Sequence, residues 1–317
     1  MIDRRAAERD NASPGLLQLI ADGMSYAIVA PWLLAIPILV ELWFLLVPGV
    51  NSQSLTTSVG NWFGGQSNTN ADDISRWLLD RGAWNIGEVV GLLFNSIVDS
   101  LNHDEVYRPI ETTMRETGPW AVAFLAIGMV LIGAALFVVY EVALARSADL
   151  IRTPETSFIA TSLNRFVKFV AFVFCAAILL AFLTAIALIP VAILAVGGIS
   201  SSAIGGILAL IGLAMIILLM FVPEAIVIDG LWPLAAIRAS ATVVVTSFWR
   251  ALGFYVISLM IGPGLLSLWK AIAHQAAGLA IAVIVNAWLM TSLAIASLCF
   301  YRARSNGLQA ARTTNRG

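Results

Sequence analysis

The sequence predicts an all-α polytopic membrane protein with six transmembrane helices, an amphipathic helix on the inner face and a small helical outer cap. Three observations carry this. Sixty per cent of the 317 residues are hydrophobic and only 12% are charged, and the mean hydropathy is +0.90, outside the range of soluble domains. Six apolar runs are each long enough to cross a hydrocarbon core of about 30 Å as helix. The segments between and beside them carry most of the basic residues on one inferred side.

The runs lie at Tyr26 to Val47, Pro119 to Tyr140, Phe166 to Val196, Ala203 to Pro223, Ala251 to Trp269 and Ala276 to Phe300. They are continuous rather than alternating, so helices satisfy their backbone groups where an open strand would not. Pro31 and Pro37 should disturb the first run, and Pro190 should tilt or bend the overlong third, since proline removes a backbone donor and clashes with the preceding turn. The chain thus divides into an N-terminal segment with its first span (1–48), an outer loop (49–118), a five-helix membrane domain (119–301) and a tail (302–317).

Orientation follows from Lys and Arg, which are retained on the cytoplasmic side of short loops. With the N-terminus inside, inner segments hold thirteen basic residues and outer ones five, four of which lie in the long Asn51 to Gly118 segment. Short loops therefore favour this orientation by thirteen to one. Both termini are expected to be cytoplasmic in a bacterial inner membrane. The first 25 residues mix acidic and basic side chains and lack a small-residue cleavage signature, so the first span is expected to stay as an anchor. Cys175 and Cys299 fall within spans and read as small buried apolar residues.

The segment from Asn51 opens with NSQSLTTSVGNWFGGQSNTN, a polar glycine-rich loop. A short capped helix should follow Asn70 and Asp72. Ile86, Val89, Val90, Leu93, Phe94, Ile97 and Leu101 then recur at helical spacing. With nine acidic residues against four basic, the segment reads as an acidic surface whose apolar face rests on the bilayer or the span tops, or as a cap for a cationic partner.

Catalytic motifs do not appear. The consecutive His103, Asp104 and Glu105 cannot aim at one metal, and no HExxH, paired CxxC, GxSxG or phosphate-cradling GxxxxGK[ST] occurs. No catalytic residue, cofactor site or metal site is assigned, and nothing points to nucleic acid. The remaining candidates are ionisable residues in or beside spans: Glu41, Glu141, Glu224, Lys270 and His274. The reading is that the carboxylates snorkel or pair with basic residues, Glu41 with Lys270, His274 or Arg115.

The most specific segment is PEAIVIDGLWPLAAIRASATVVVTSFWRALGFYVIS, from Pro223 to Ser258. Pro233 suits a first helical position, and Leu234, Ile237, Ala241, Val244 and Val245 form the expected apolar stripe of a helix lying flat with Arg238 toward headgroups. Trp249 and Arg250 then sit at interfacial depth. Pro223, Asp229-Gly230, Pro233, Ala236, Ser240 and Phe248-Trp249-Arg250 resemble bacterial multi-pass proteins of the glycerophosphoryl diester phosphodiesterase membrane-domain type and related uncharacterised families. Ala239 and Ser247 depart from that pattern, where the family usually has arginine and glycine. The resemblance implies a membrane domain from about Glu141 to Tyr301, without the soluble catalytic domain of that family. Thr161 to Arg165 also echoes Thr246 to Arg250, as a repeated two-helix unit would. The functional expectation is a non-catalytic scaffold, anchor or regulatory component that binds membrane lipids and a membrane-protein partner; the alternative is a transporter of a small solute or lipid.

Overall fold

A computed structural model describes residues 15–46, 119–151, 157–196, 201–273 and 275–314, with positions 57, 58, 61, 94 and 96 between them. The expected outer cap and its amphipathic helix fall almost wholly outside the described residues, as do His103, Arg115 and His274. Among the described residues every regular element is a helix. In chain order these are α1 (Leu16–Val29), a 3₁₀ turn (Pro31–Leu34), α2 (Ala35–Leu46), α3 (Pro119–Ser147), α4 (Phe158–Val196), α5 (Ser201–Leu219), α6 (Val222–Asp229), α7 (Pro233–Thr246), α8 (Phe248–Ile261), a second 3₁₀ turn (Pro263–Leu265), α9 (Leu266–Ile272) and α10 (Ala276–Thr314).

Five helical stretches among them are long and apolar enough to cross a membrane, six if the broken α1 and α2 count as one crossing. The protein is a multi-pass helical membrane protein. Large apolar side chains are exposed along these helices, among them Trp120, Phe124, Phe174 and Ile178. That is the expected surface of a chain whose solvent is lipid.

The prolines act unequally. Ala30 leaves the helical region at φ −121° and ψ 64° and α1 ends there, as Pro31 demands of the residue before it. Pro37 does not break α2, because it is the third residue of that helix, where the missing N–H has no intrahelical partner. α4 continues through Pro190 as one 39-residue helix. At 1.5 Å per residue it is about 58 Å long, as is the 39-residue α10, so both exceed a bilayer core of about 30 Å. α10 thus carries the expected tail as helix to Thr314.

Two breaks were not foreseen from hydropathy. The fourth span stops at Leu219 and restarts as α6 at Val222, and the fifth is interrupted at Pro263–Leu265 before α9. The chain divides into two compact units, one comprising Met1–Ala30, Val138–Met260 and Thr291–Gly317, the other Pro31–Phe137 and Ile261–Met290.

In the first unit α6 is buried on every side. Val222, Ala225, Ile226, Val227 and Ile228 are all essentially inaccessible, the pattern of a helix enclosed by others. Phe221 stacks on Phe300 with ring centroids 5.1 Å apart, and Phe254 stacks on the same ring at 5.8 Å. Each such pair adds about 0.5–1.5 kcal/mol beyond its buried area. α7 packs against α4, α5 and α6. Gly23 of α1 lies so close to α10 that a Cβ there would overlap the Ser292 carbonyl, the small-residue approach favoured between membrane helices. Ser157 caps α4, its Oγ accepting from Ala160 N–H at 3.2 Å. α3 closes with Asp149 left-handed at φ 55°, while Leu150 N–H bonds to Ala145 O at 2.8 Å, a Schellman ending.

In the second unit, Phe94 meets Phe137 edge-on at 6.2 Å, and Trp269 and Ala273 are buried.

The expected apolar stripe of α7 and the edge that packs on the protein share only Val244. Leu234 and Val245 are exposed, and the face against the protein is Pro233, Ala236, Ser240, Val243 and Val244. In lipid the large apolar residues gain nothing by facing inward, whereas small ones permit close backbone approach. The echo between Thr161–Arg165 and Thr246–Arg250 also divides: Thr161, Ser162 and Arg165 are buried, but Thr246, Trp249 and Arg250 are exposed.

Candidate functional site

The polar residues of the first unit gather around α6. The helix carries Pro223 and Glu224 in its first turn, where proline is tolerated and the helix dipole favours a negative group. It closes at Gly230, left-handed at φ 65°, with Gly230 N–H bonded to Ile226 O at 3.0 Å. An L-residue with a Cβ is disfavoured there by conformation. Space excludes it too, since an added Cβ would overlap the Arg165 guanidinium.

Around that turn stand two cations of α4 and a carboxylate. Lys168 Nζ donates to Gly230 O at 2.7 Å and lies 5.7 Å from the centroid of the Trp232 ring, a cation–π distance. Asp229 accepts from Tyr301 OH at 2.7 Å, and Arg302 Nη1 lies 3.9 Å from its other oxygen. Arg165 is within electrostatic reach of both Asp229 and Lys168.

At the opposite end of α6, Glu224 accepts a hydrogen bond from Ser297 of α10. Its Oε2 has no hydrogen-bond partner among the described residues. Glu141 of α3 is within electrostatic reach of it. Tyr140, adjacent in sequence, donates to Thr291 at 2.7 Å, which ties α3 to α10. Ser240 of α7 serves the break before α6: its Oγ donates to Leu218 O at 2.7 Å and accepts from Phe221 N–H at 3.2 Å. The buried Pro233, Ala236 and Ser240 therefore form one edge of α7 that seats it on this break.

The three carboxylates, expected to snorkel or to pair with basic residues, are buried. Glu41, Glu141 and Glu224 are 3%, 7% and 8% exposed. Partners of Glu41, in the second unit, include Ser96 Oγ at 2.7 Å and Asn286 Nδ2 at 3.4 Å. A carboxylate with polar protein partners escapes the cost of meeting lipid, so it has no need to extend to headgroups. Lys270 is half-buried on α9. Cys175 and Cys299 are half-buried and form no disulfide.

Arg238, Trp249 and Arg250 are exposed, Trp249 by 80%. Arg304 lies with its guanidinium 5.6 Å from the Phe300 ring centroid and within electrostatic reach of Arg250. Sequence reasoning used Arg165 and Lys168 only as topological charges. Their i, i+3 spacing with Ser162 on one helix face was the available sign of a shared site. No group of three or more metal-ligating side chains occurs among the described residues. Comparisons with family models, curated proteins and solved structures return no match to this chain.

Proposed function

We propose that this chain is a non-catalytic multi-pass component of a bacterial inner membrane, with both termini cytoplasmic, that anchors or regulates a partner through the outward surface of α7 and the start of α8. The observation that carries the reading is the two-sidedness of α7. One edge is buried against α4, α5 and α6, while Leu234, Arg238 and Val245 face away from the protein and are followed by exposed Trp249 and Arg250. Apolar side chains and arginines side by side suit anionic headgroups, worth about 1 kcal/mol per basic residue, and leave a surface for a second membrane protein. The motif resemblance falls on this same stretch and supports it.

The test compares Arg238→Glu with Glu41→Gln at matched expression, reading the proteins and lipids that co-purify in mild detergent. Charge reversal at Arg238 should change the bound complement. An unchanged complement for Arg238→Glu, with loss for Glu41→Gln, would move function into the membrane interior. A transporter of a small solute or lipid is the second reading, and the burial of Glu41, Glu141 and Glu224 within the helices favours it.

A further inference from the structure

We propose that Arg165, with Ser162 and Lys168, holds a phosphate-type oxyanion beside the Asp229-Gly230 turn. This site is separate from the exposed surface of α7 and α8, and it stands whether the chain is an anchor or a transporter.

Ser162 and Arg165 are i, i+3 neighbours on α4, as are Arg165 and Lys168, so Arg165 is flanked by both, and all three are buried, with Ser162 6%, Arg165 7% and Lys168 9% exposed. Buried polar groups are normally satisfied. Here Ser162 Oγ and Arg165 Nε have no hydrogen-bond partner among the described residues. Lys168 spends one N–H on Gly230 O and keeps two more. The fold also packs Arg165 against Gly230 so tightly that a methyl group would not fit, so the guanidinium is held in place rather than free to swing toward water.

The neighbouring carboxylate does not complete the set. Asp229 accepts from Tyr301 and faces Arg302, so among the described residues one carboxylate stands beside the cations of Arg165, Lys168 and Arg302. Each unfilled group on α4 can donate, and two of the three residues are positive. The missing partner is therefore acceptor-rich and anionic. A guanidinium fork matches the geometry of phosphate, and a hydroxyl and an ammonium beside it supply further donors.

Depth fixes the class more closely. Arg165 and Lys168 stand where the apolar run of α4 begins, at Phe166, the level at which a bilayer presents phosphates. The shared chemistry is a phosphate group, supplied either by a lipid headgroup or by phosphate in solution.

The experiment uses the full chain as wild type, Arg165→Gln and Arg165→Lys. One arm places each in nanodiscs of phosphatidylcholine with or without phosphatidic acid, and reads retained lipid by native mass spectrometry after detergent extraction. The other titrates inorganic phosphate onto detergent-purified protein and follows thermal unfolding. Wild type should retain phosphatidic acid or be stabilised by phosphate. Arg165→Gln should lose at least about tenfold in affinity, the scale of a lost hydrogen bond to a charged group. Arg165→Lys keeps the charge without the fork; it should fold and bind with intermediate strength, which guards against misfolding of the glutamine variant. Retention of phosphatidic acid without a phosphate response identifies a headgroup site, and a phosphate response that displaces the lipid identifies a soluble anion. Absence of both in wild type, or equal binding by wild type and a folded Arg165→Gln, would overturn the proposal.

Discussion

Replacing Gly230 by alanine should destabilise the first unit through two separable effects. Gly230 sits at φ 65°, where an L-residue costs about 1–2 kcal/mol. The new methyl would also occupy the position of the Arg165 guanidinium, forcing a buried side chain to move at a cost of the same order, about 1–2 kcal/mol. The single variant should therefore lose about 2–4 kcal/mol. In an Arg165→Ala background the space is open and only the backbone part remains, so the same substitution should cost about 1–2 kcal/mol. The cycle should give a coupling of about 1 kcal/mol or more, well above the few tenths expected of independent sites. Unfolding of the purified protein in mixed micelles, followed by tryptophan fluorescence, measures all four proteins. Equal costs in the two backgrounds would show that Arg165 does not press on this turn. A neutral Gly230→Ala would refute the left-handed ending of α6 itself.

Further outcomes are expected elsewhere. Ser240→Ala removes the hydroxyl shared by Leu218 O and Phe221 N–H and should cost about 1–3 kcal/mol by leaving buried backbone groups unsatisfied; the same micelle assay checks it. Gly23→Ala should destabilise, because its Cβ meets backbone of α10 rather than a flexible side chain, and an unchanged midpoint would contradict that helix contact. In a chain whose Cys175 and Cys299 are replaced by serine, a cysteine at Ser67 should react with an impermeant reagent in intact cells and one at Ser305 should not. The reverse pattern would invert the orientation argued from the basic residues.

The helices were legible because the bilayer imposes a length and a composition that no soluble helix must meet. The breaks inside spans were not. Met220 and Phe221 are as apolar as their neighbours, and what allows the helix to stop there is Ser240, nineteen residues beyond Phe221. The edge of α7 that packs on the protein was not read from the sequence: an apolar stripe marks the core in water, but in lipid the small residues Ala236 and Ser240 mark it. Glu41, Glu141 and Glu224 were found as candidates from charge alone, yet their burial depends on partners such as Ser96, Asn286 and Ser297, which no local pattern connects to them. Arg165 was visible only as a positive charge, since the turn that pins it comes from another helix.

The hydroxyl of Ser240 also bears on the order in which the membrane receives this chain. A helix interrupted at Met220 and Phe221 has backbone groups that hydrocarbon leaves unanswered, and the group that answers them is synthesised later, on α7. Insertion of α5 and α6 as an isolated hairpin arm would strand those groups in lipid for the seconds that translation needs to reach α7. The segment from Ser201 to Thr246 is therefore expected to be released into the bilayer as one piece, so that truncation just after Gly230 yields a product retained at the insertion machinery, while truncation after Thr246 is let go.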